Sequence, residues 1–194
     1  MRIFLAGATG VIGSRLLPLL VAAGHDVAGT TRSPDRAGMI ERLGGSPFVV
    51  DVYDLDTLTT AVADAKPDLV MHQLTDLPDD AAAVPARSAA NSRIRTEGTA
   101  NLLAAARAAG ASRVLAQSIA WTPAGRDDAV ARHEAAVLDV GGVVVRYGQL
   151  YGPGTYYATE TPVHPRIHVD DAARRTVPLL EATSGIVVLA DPET

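Results

Sequence analysis

Short apolar runs alternate with longer segments of helical spacing along the whole chain. Ile3 to Ala6 is apolar and ends in a glycine loop, and Ile12 to Ala23 then carries Leu16, Leu17, Leu19, Leu20 and Val21. The chain therefore opens as strand, tight turn and helix. Pro18 falls inside that helix, where it removes a hydrogen bond or bends the axis, and Gly24 closes it. Further strands are predicted at Asp26 to Thr30, Phe48 to Val50, Leu69 to Gln73, Arg113 to Gln117, Gly142 to Arg146 and Ile186 to Leu189. Helices are predicted at Leu55 to Ala65, Val84 to Ala109 and Ala129 to Leu138, and at Val169 to Leu180 with a break near Pro178. Gly110 ends the second of these, as glycine commonly does at a helix C-terminus. Strands alternating with helices imply parallel pairing through crossovers, hence an α/β fold built on a doubly wound parallel sheet. The irregular stretches, Asp76 to Val84, Thr122 to Asp128 and Gly152 to Arg166, all follow strands.

Composition narrows the picture to a single domain over residues 1–194. The chain is 47% hydrophobic and 20% charged, too apolar for a disordered segment, and no run approaches the ~18 apolar residues of a membrane span. Its 17 basic and 22 acidic residues give a net charge of −5. With no cluster of Lys and Arg, neither nucleic acid nor a membrane surface is an expected partner. Cysteine is absent, which removes disulfides, thiolate nucleophiles and cysteine-based zinc sites together. The N-terminus reads as folded structure and not as a secretory signal, so a cytoplasmic protein is expected. Lys66 is the only lysine beside 16 arginines.

Gly7, Gly10 and Gly13 lie in Gly7-Ala8-Thr9-Gly10-Val11-Ile12-Gly13, directly between the first strand and the first helix. The first glycine permits the tight turn, the second lets backbone approach a pyrophosphate, and the third lets the helix pack closely, while N–H groups at the helix start bind anionic oxygens. Strand before and helix after are the context that a dinucleotide site requires. The end of the second strand faces the adenosine ribose in such sites, and an acid there would accept from a 2′-hydroxyl. This chain has Thr31-Arg32-Ser33 instead. Arg32 presents a charged planar fork suited to a 2′-phosphate, with Thr31 and Ser33 as hydroxyl donors, so NADP(H) is expected over NAD(H). Asp51-Val52 follows the third strand, where a carboxylate accepts from the adenine amino group or simply caps a turn.

With the loop placed, the sequence resembles the extended short-chain dehydrogenase/reductase family, also called the NAD-dependent epimerase/dehydratase family. The segments that carry the likeness, in order, are the glycine loop, Asp51-Val52, Val70-Met71-His72-Gln73-Leu74, Glu97-Gly98-Thr99-Ala100-Asn101-Leu102-Leu103, Gln117-Ser118, Arg146-Tyr147-Gly148-Gln149-Leu150-Tyr151-Gly152-Pro153-Gly154 and His168-Val169-Asp170-Asp171-Ala172-Ala173. The resemblance implies a Rossmann fold, a nicotinamide cofactor and often a dimer through the two long helices, here Val84 to Ala109 and Ala129 to Leu138. It adds Val11, Ile12, Gln73, Leu74, Gln117, Tyr147 and Gly148 to Gly7, Thr9, Gly10, Gly13, Thr31, Arg32, Ser33, Asp51 and Val52 as candidate cofactor contacts.

The departures are as informative as the matches. Members of the family carry a catalytic serine and a Tyr-x-x-x-Lys pair on the next helix, the tyrosine moving a proton at the substrate oxygen and the lysine lowering its pKa. Ser118 matches the serine, but Asp127 to Ala136 contains neither tyrosine nor lysine. The remaining candidates are Ser118, as a donor to a substrate carbonyl or as a strand-end residue, and Tyr147 and Tyr151, as proton donors or as wall packing. His133 reads more simply as a helix-surface histidine than as an acid/base. The glycines at 148, 152 and 154 mark backbone shaped around a ligand or ordinary turns. Only Thr155 to Ile167 separates Tyr-Gly-Pro-Gly from His-Val-Asp-Asp, and the chain ends soon after the next strand, so a reduced substrate-binding lobe at about residues 152–168 and an open site are expected.

Other chemistries fit less well. Asp170 and Asp171 open a helix and read as caps and dipole partners rather than as metal ligands with His168, so no metal is expected. Ser118 lacks the G-x-S-x-G elbow of a hydrolase nucleophile. The expected function is an atypical NADP(H)-dependent oxidoreductase acting on a small or secondary-metabolite carbonyl or enone. The alternatives are a cofactor-binding regulatory or interaction module without hydride transfer, and a non-redox isomerase or cyclase on the same scaffold.

Overall fold

In the first strand, β1 (Arg2–Ala6), Ile3 and Leu5 enter one hydrophobic core while Phe4 and Ala6 enter another. A strand buried on both faces needs helices on both sides, and the order of elements supplies them. In the computed structural model, which describes residues 1–121 and 128–193, β1 is followed by α1 (Gly13–Ala22), β2 (Asp26–Thr31), α2 (Ala37–Arg42), β3 (Ser46–Val49), α3 (Leu55–Ala65) and β4 (Leu69–His72). Then come α4 (Ser88–Arg93), α5 (Thr99–Ala108), β5 (Arg113–Ile119), α6 (Ala129–Asp139) and β6 (Val143–Tyr147). The short strands β7 (Gln149–Tyr151) and β8 (Arg166–His168), then α7 (Val169–Thr176) and β9 (Gly185–Leu189), complete the described chain.

The main sheet has seven parallel strands in the order β3-β2-β1-β4-β5-β6-β9, and β7 pairs with β8 in a separate two-stranded sheet. This is the doubly wound Rossmann arrangement. Leu16, Leu17 and Leu20 of α1 and Ala172 and Ala173 of α7 cover one face, and Leu58 and Val62 of α3 with Leu102, Ala105 and Ala106 of α5 cover the other. The chain runs outward from β1 to β3 and then returns to β4 on the far side of β1. That reversal leaves a crevice at the carboxyl ends of β1 and β4, the place where open α/β sheets bind ligands.

One predicted helix differs in form. The stretch Val84 to Ala109 is not one helix: a 3-10 turn, Pro85–Arg87, precedes α4, and a π-helical segment, Ile94–Gly98, joins α4 to α5. Ile94, Arg95 and Gly98 of that segment are all buried, and a Cβ at Gly98 would lie 3.0 Å from Ile94. Pro18 is accommodated inside α1, whereas Pro178 falls in a 3-10 turn, Val177–Glu181, after α7 ends. Pro47 sits on the edge strand β3, where an N–H is not needed on the outer side. The irregular stretch predicted at Thr122 to Asp128 lies, apart from Asp128, outside the described residues.

Candidate active site

The glycine loop closes on itself and opens on one side only. Gly7 has φ +89°, and a Cβ there would come within 2.8 Å of the Gln73 carbonyl oxygen. At Gly13 a Cβ would lie 2.1 Å from the Gly7 oxygen, so the third glycine is needed by the loop's own fold. Gly10 is different: its Cβ would meet only the Gly7 oxygen, at 3.3 Å. Thr30 braces the turn, its hydroxyl oxygen accepting from Gly7 N at 3.1 Å and its carbonyl from Ala8 N at 3.2 Å. The N–H groups of Val11 and Ile12, at the mouth of α1, make no bond within the described protein. Space above Gly10 and unsatisfied N–H groups at a helix start are what a pyrophosphate requires.

At the end of β2, Thr31 holds its own turn: its hydroxyl accepts from Ser33 N at 3.2 Å and donates to Ser33 O at 3.3 Å, with Thr9 donating to it at 3.4 Å. Arg32 is half exposed and lies 3.6 Å from Asp76, a carboxylate only 11% exposed that also accepts from Arg87 at 2.9 Å. Asp51 accepts from Tyr53 N at 3.0 Å, while the cap of α3 is Asp54, which accepts from Thr57 N at 3.2 Å. Val52 is buried, and Asn101 of α5 pins its carbonyl at 3.0 Å. The Arg93 guanidinium stacks 3.8 Å over the Tyr53 ring. Burial, reinforced by Asp76, raises the pKa of that phenol, whose buried hydroxyl has no hydrogen-bond partner.

The hydroxyl protons of the three candidate catalytic residues are all given to protein acceptors. Ser118 is fully buried and donates to Glu134 Oε1 of α6 at 2.5 Å, and Arg146 clamps the same carboxylate at 2.8 and 2.5 Å. Burial alone would raise the pKa of Glu134, but the hydrogen bonds from Arg146 and Ser118 outweigh it and hold the group ionised. Tyr147 is 2% exposed and meets Thr176 Oγ1 at 2.7 Å. Thr176 spends its own proton on Ala172 O at 2.7 Å, so Tyr147 is the donor of the pair. Burial pushes its phenol up to about 12. Tyr151 donates to Asp191 at 2.9 Å, a bond that raises its pKa, and its ring sits edge-on to His168.

Beneath this end of the crevice lies a buried chain of hydrogen bonds. His72 Nδ1 accepts from Leu74 N at 3.2 Å, so its Nε2 donates to Thr99 at 3.1 Å. Thr99 in turn donates to His133 Nδ1 at 2.7 Å, and His133 Nε2 donates to the Gln117 carbonyl at 2.9 Å. His133 is therefore 1% exposed and not the surface histidine expected: α6 turns this face onto β5 and the π segment. Burial lowers both imidazoles, His133 to about 4. The Gln117 amide bonds Leu74 O at 3.1 Å, tying the ends of β4 and β5 together. Beside Tyr147, whose pKa it lowers by its approach to the phenol, the Gln73 side-chain amide is 7% exposed, and neither its nitrogen nor its oxygen makes a well-formed hydrogen bond.

After β6, Gly148 and Gly152 serve the protein's own packing, and Gly154, with φ +80°, serves a turn. A Cβ at Gly148 would lie 2.7 Å from the Arg166 backbone of β8, and one at Gly152 would lie 2.5 Å from the His168 ring. The helix-opening acids also sort differently from a simple pair of caps. His168 itself caps α7, accepting from Asp170 N at 3.3 Å, while Asp170 bonds Arg15 at 2.7 Å and Asp171 bonds Arg174. Among the described residues no group of three His, Asp or Glu side chains stands ready for a metal ion, and no helix is long and apolar enough to cross a membrane.

Reading residue by residue did not foresee Glu134 and Arg146, Thr99 as a link between two histidines, or Asp76 and Arg87. The Glu134–Arg146 pair had a faint signal, opposite charges on a helix and the strand after it. The others depend on how separate segments meet in space.

Residues 3–136 match the model of the NAD dependent epimerase/dehydratase family, and the chain belongs to it. It is 36% identical to a 3-diazoavenalumate denitrifying reductase of a Streptomyces species, over 100% of this chain and 77% of that protein. That alignment occupies 240 positions against the chain's 194 residues, so the relative carries internal segments that this chain lacks. A ketoreductase of 4-hydroxy-2-methyl-3-oxo-4-farnesyl-3,4-dihydroquinoline-1-oxide from Stigmatella aurantiaca is 32% identical over 59% of this chain and 32% of its own length. Among solved structures, the fold is similar to that of Thermus thermophilus UDP-glucose 4-epimerase in complex with NAD, with a TM-score of 0.81 at 20% identity over 100% of this chain and 78% of that one. Membership carries a nicotinamide cofactor and an NAD(P)-dependent oxidoreductase or epimerase-type role.

Proposed function

We propose that the chain is an NADP(H)-dependent reductase of small secondary metabolites, and that its substrate accepts hydride without a proton from a protein side chain. The observation that carries this reading is the commitment of Ser118, Tyr147 and Tyr151 to Glu134, Thr176 and Asp191, in a chain whose next helix has no Tyr-x-x-x-Lys pair. A carbonyl reduced to an alkoxide needs a proton. An aryl diazonium group displaced as dinitrogen does not: hydride brings the electron pair of the new C–H bond, the C–N pair leaves with dinitrogen, and the positive charge of the diazonium cancels that of the hydride. The name of the Streptomyces relative describes such a loss of nitrogen.

The residues present fit the cofactor. Gly7, Gly10 and Gly13, with Thr9 and the N–H groups of Val11 and Ile12, would hold its pyrophosphate. Arg32, Thr31 and Ser33 would face the 2′-phosphate, and Asp51 and Val52 the adenine. Leu74, Gln117, Tyr147 and Gly148 would line the nicotinamide end, where the Gln73 amide, without a well-formed hydrogen bond of its own, matches a carboxamide in both donor and acceptor. Bound there, the reduced nicotinamide supplies the hydride. Ser118 then positions α6 through Glu134, and Tyr147 and Tyr151 form walls.

A carbonyl or enone acceptor is the second reading, supported by the Stigmatella ketoreductase and by Tyr151, the least buried of the three hydroxyls. Its proton would come from water or from Tyr151 released by Asp191.

The test is NADPH absorbance with parallel mass-spectrometric detection of dinitrogen, across aryl diazo compounds, ketones and enones. One NADPH oxidised per dinitrogen released is expected. Tight NADPH binding with no oxidation on any acceptor would make the chain a cofactor-binding module, and substrate conversion with no net oxidation would make it an isomerase.

A further inference from the structure

Arg32 is not alone at the end of β2. Asp76, from the stretch after β4, holds Arg32 and Arg87 on the same oxygen, Oδ1, at 3.6 and 2.9 Å. The carboxylate is 11% exposed, while the two arginine side chains are 54% and 52% exposed. Asn91 of α4 fixes the Asp76 backbone, accepting from its N–H at 3.4 Å. A buried carboxylate thus sets two guanidinium groups side by side with their outer N–H groups in solvent. Each arginine has five donors and needs one for Asp76. Two cations sharing one anion leave a net positive charge at this surface, while Arg93, stacked on Tyr53 beside it, is itself neutralised by Glu97 at 2.6 and 2.8 Å.

We infer that Arg87 is a second specificity-determining residue for the cofactor, which with Arg32 grips the 2′-phosphate of NADP(H), and that Asp76 is the positioning residue that sets the pair. The inference rests on the NADP(H) reading above. A phosphate monoester carries roughly −1.5 to −2 charge at neutral pH and takes forked donors well. A ribose diol would need an acceptor, and Asp76 Oδ1 is already taken by two arginines. Arg87 lies more than fifty residues from Arg32 in sequence, on the 3-10 turn Pro85–Arg87.

The experiment is calorimetric titration of the full chain with adenosine 2′,5′-bisphosphate and with adenosine 5′-monophosphate, which differ only in the 2′-phosphate. The unaltered chain should bind the bisphosphate at least about tenfold tighter. Arg87→Ala should lose about tenfold for the bisphosphate and less than about twofold for the monophosphate, which reports that the site is still folded. Arg87→Lys should fall between, since it keeps the charge but loses the fork. No preference in the unaltered chain would overturn the NADP(H) reading and this inference with it. A preference removed by Arg32→Ala but untouched by Arg87→Ala leaves NADP(H) standing and refutes the role of Arg87. Tighter monophosphate binding by Arg87→Ala also refutes it, because Asp76 would then be a ribose ligand.

Discussion

Ser118 gives its hydroxyl proton to Glu134 Oε1 across the α6 side of the sheet, at 2.5 Å, while Arg146 forks onto both oxygens of the same carboxylate. The serine at the end of β5 is thereby part of the join between a strand and a helix. Ser118→Ala removes one donor from a buried, ionised acceptor, at a cost of about 1–2 kcal/mol. Thermal unfolding should shift down by several degrees, and turnover should stay within about twofold. Loss of turnover with unchanged stability would place the hydroxyl on the substrate instead.

The buried histidines predict acid sensitivity. His133 has a folded pKa of about 4 against an ordinary 6.5, and His72 shifts in the same direction. The folded state therefore binds fewer protons than the unfolded one between these values, so stability present above pH 6.5 is lost as pH falls toward 4. For His133 alone the loss approaches about 3 kcal/mol. Urea midpoints should fall steadily over that window, and His133→Gln, which can accept and donate without titrating, should flatten the decline.

The glycine loop separates folding from binding. Gly13→Ala sets a Cβ 2.1 Å from the Gly7 oxygen and should lower stability severely. Gly10→Ala meets only one atom, at 3.3 Å, and fills the space proposed for the pyrophosphate. It should keep a near-native melting temperature and lose at least about tenfold in affinity for either dinucleotide. Equal loss of stability in both variants would contradict this division.

Much of the fold was legible because the sheet is buried on both faces and its strands are apolar runs closed by turn residues. Helix α3 runs over Leu55–Ala65 as periodicity places it. The short strands β7 and β8 escaped notice because pairing between segments fifteen residues apart leaves no local period. The π segment escaped because a slip of register in an alanine-rich stretch leaves the pattern almost unchanged. Within the site, the glycine loop could be read from spacing, since steric demands act between near neighbours. His133 could not: its burial depends on Thr99 and on the Gln117 carbonyl, which only the packing of α6 against β5 and the π segment brings to it. The same holds for Arg32, whose partner Asp76 comes from a different crossover.

The central claim, hydride delivery without a proton relay, is tested most directly by isotope transfer. NADPH carrying deuterium at the reactive nicotinamide carbon, used with an aryl diazonium substrate in ordinary water, should give product with deuterium on the carbon that lost nitrogen. With unlabelled NADPH in heavy water, that position should carry hydrogen. Product labelled from the solvent instead would contradict the account.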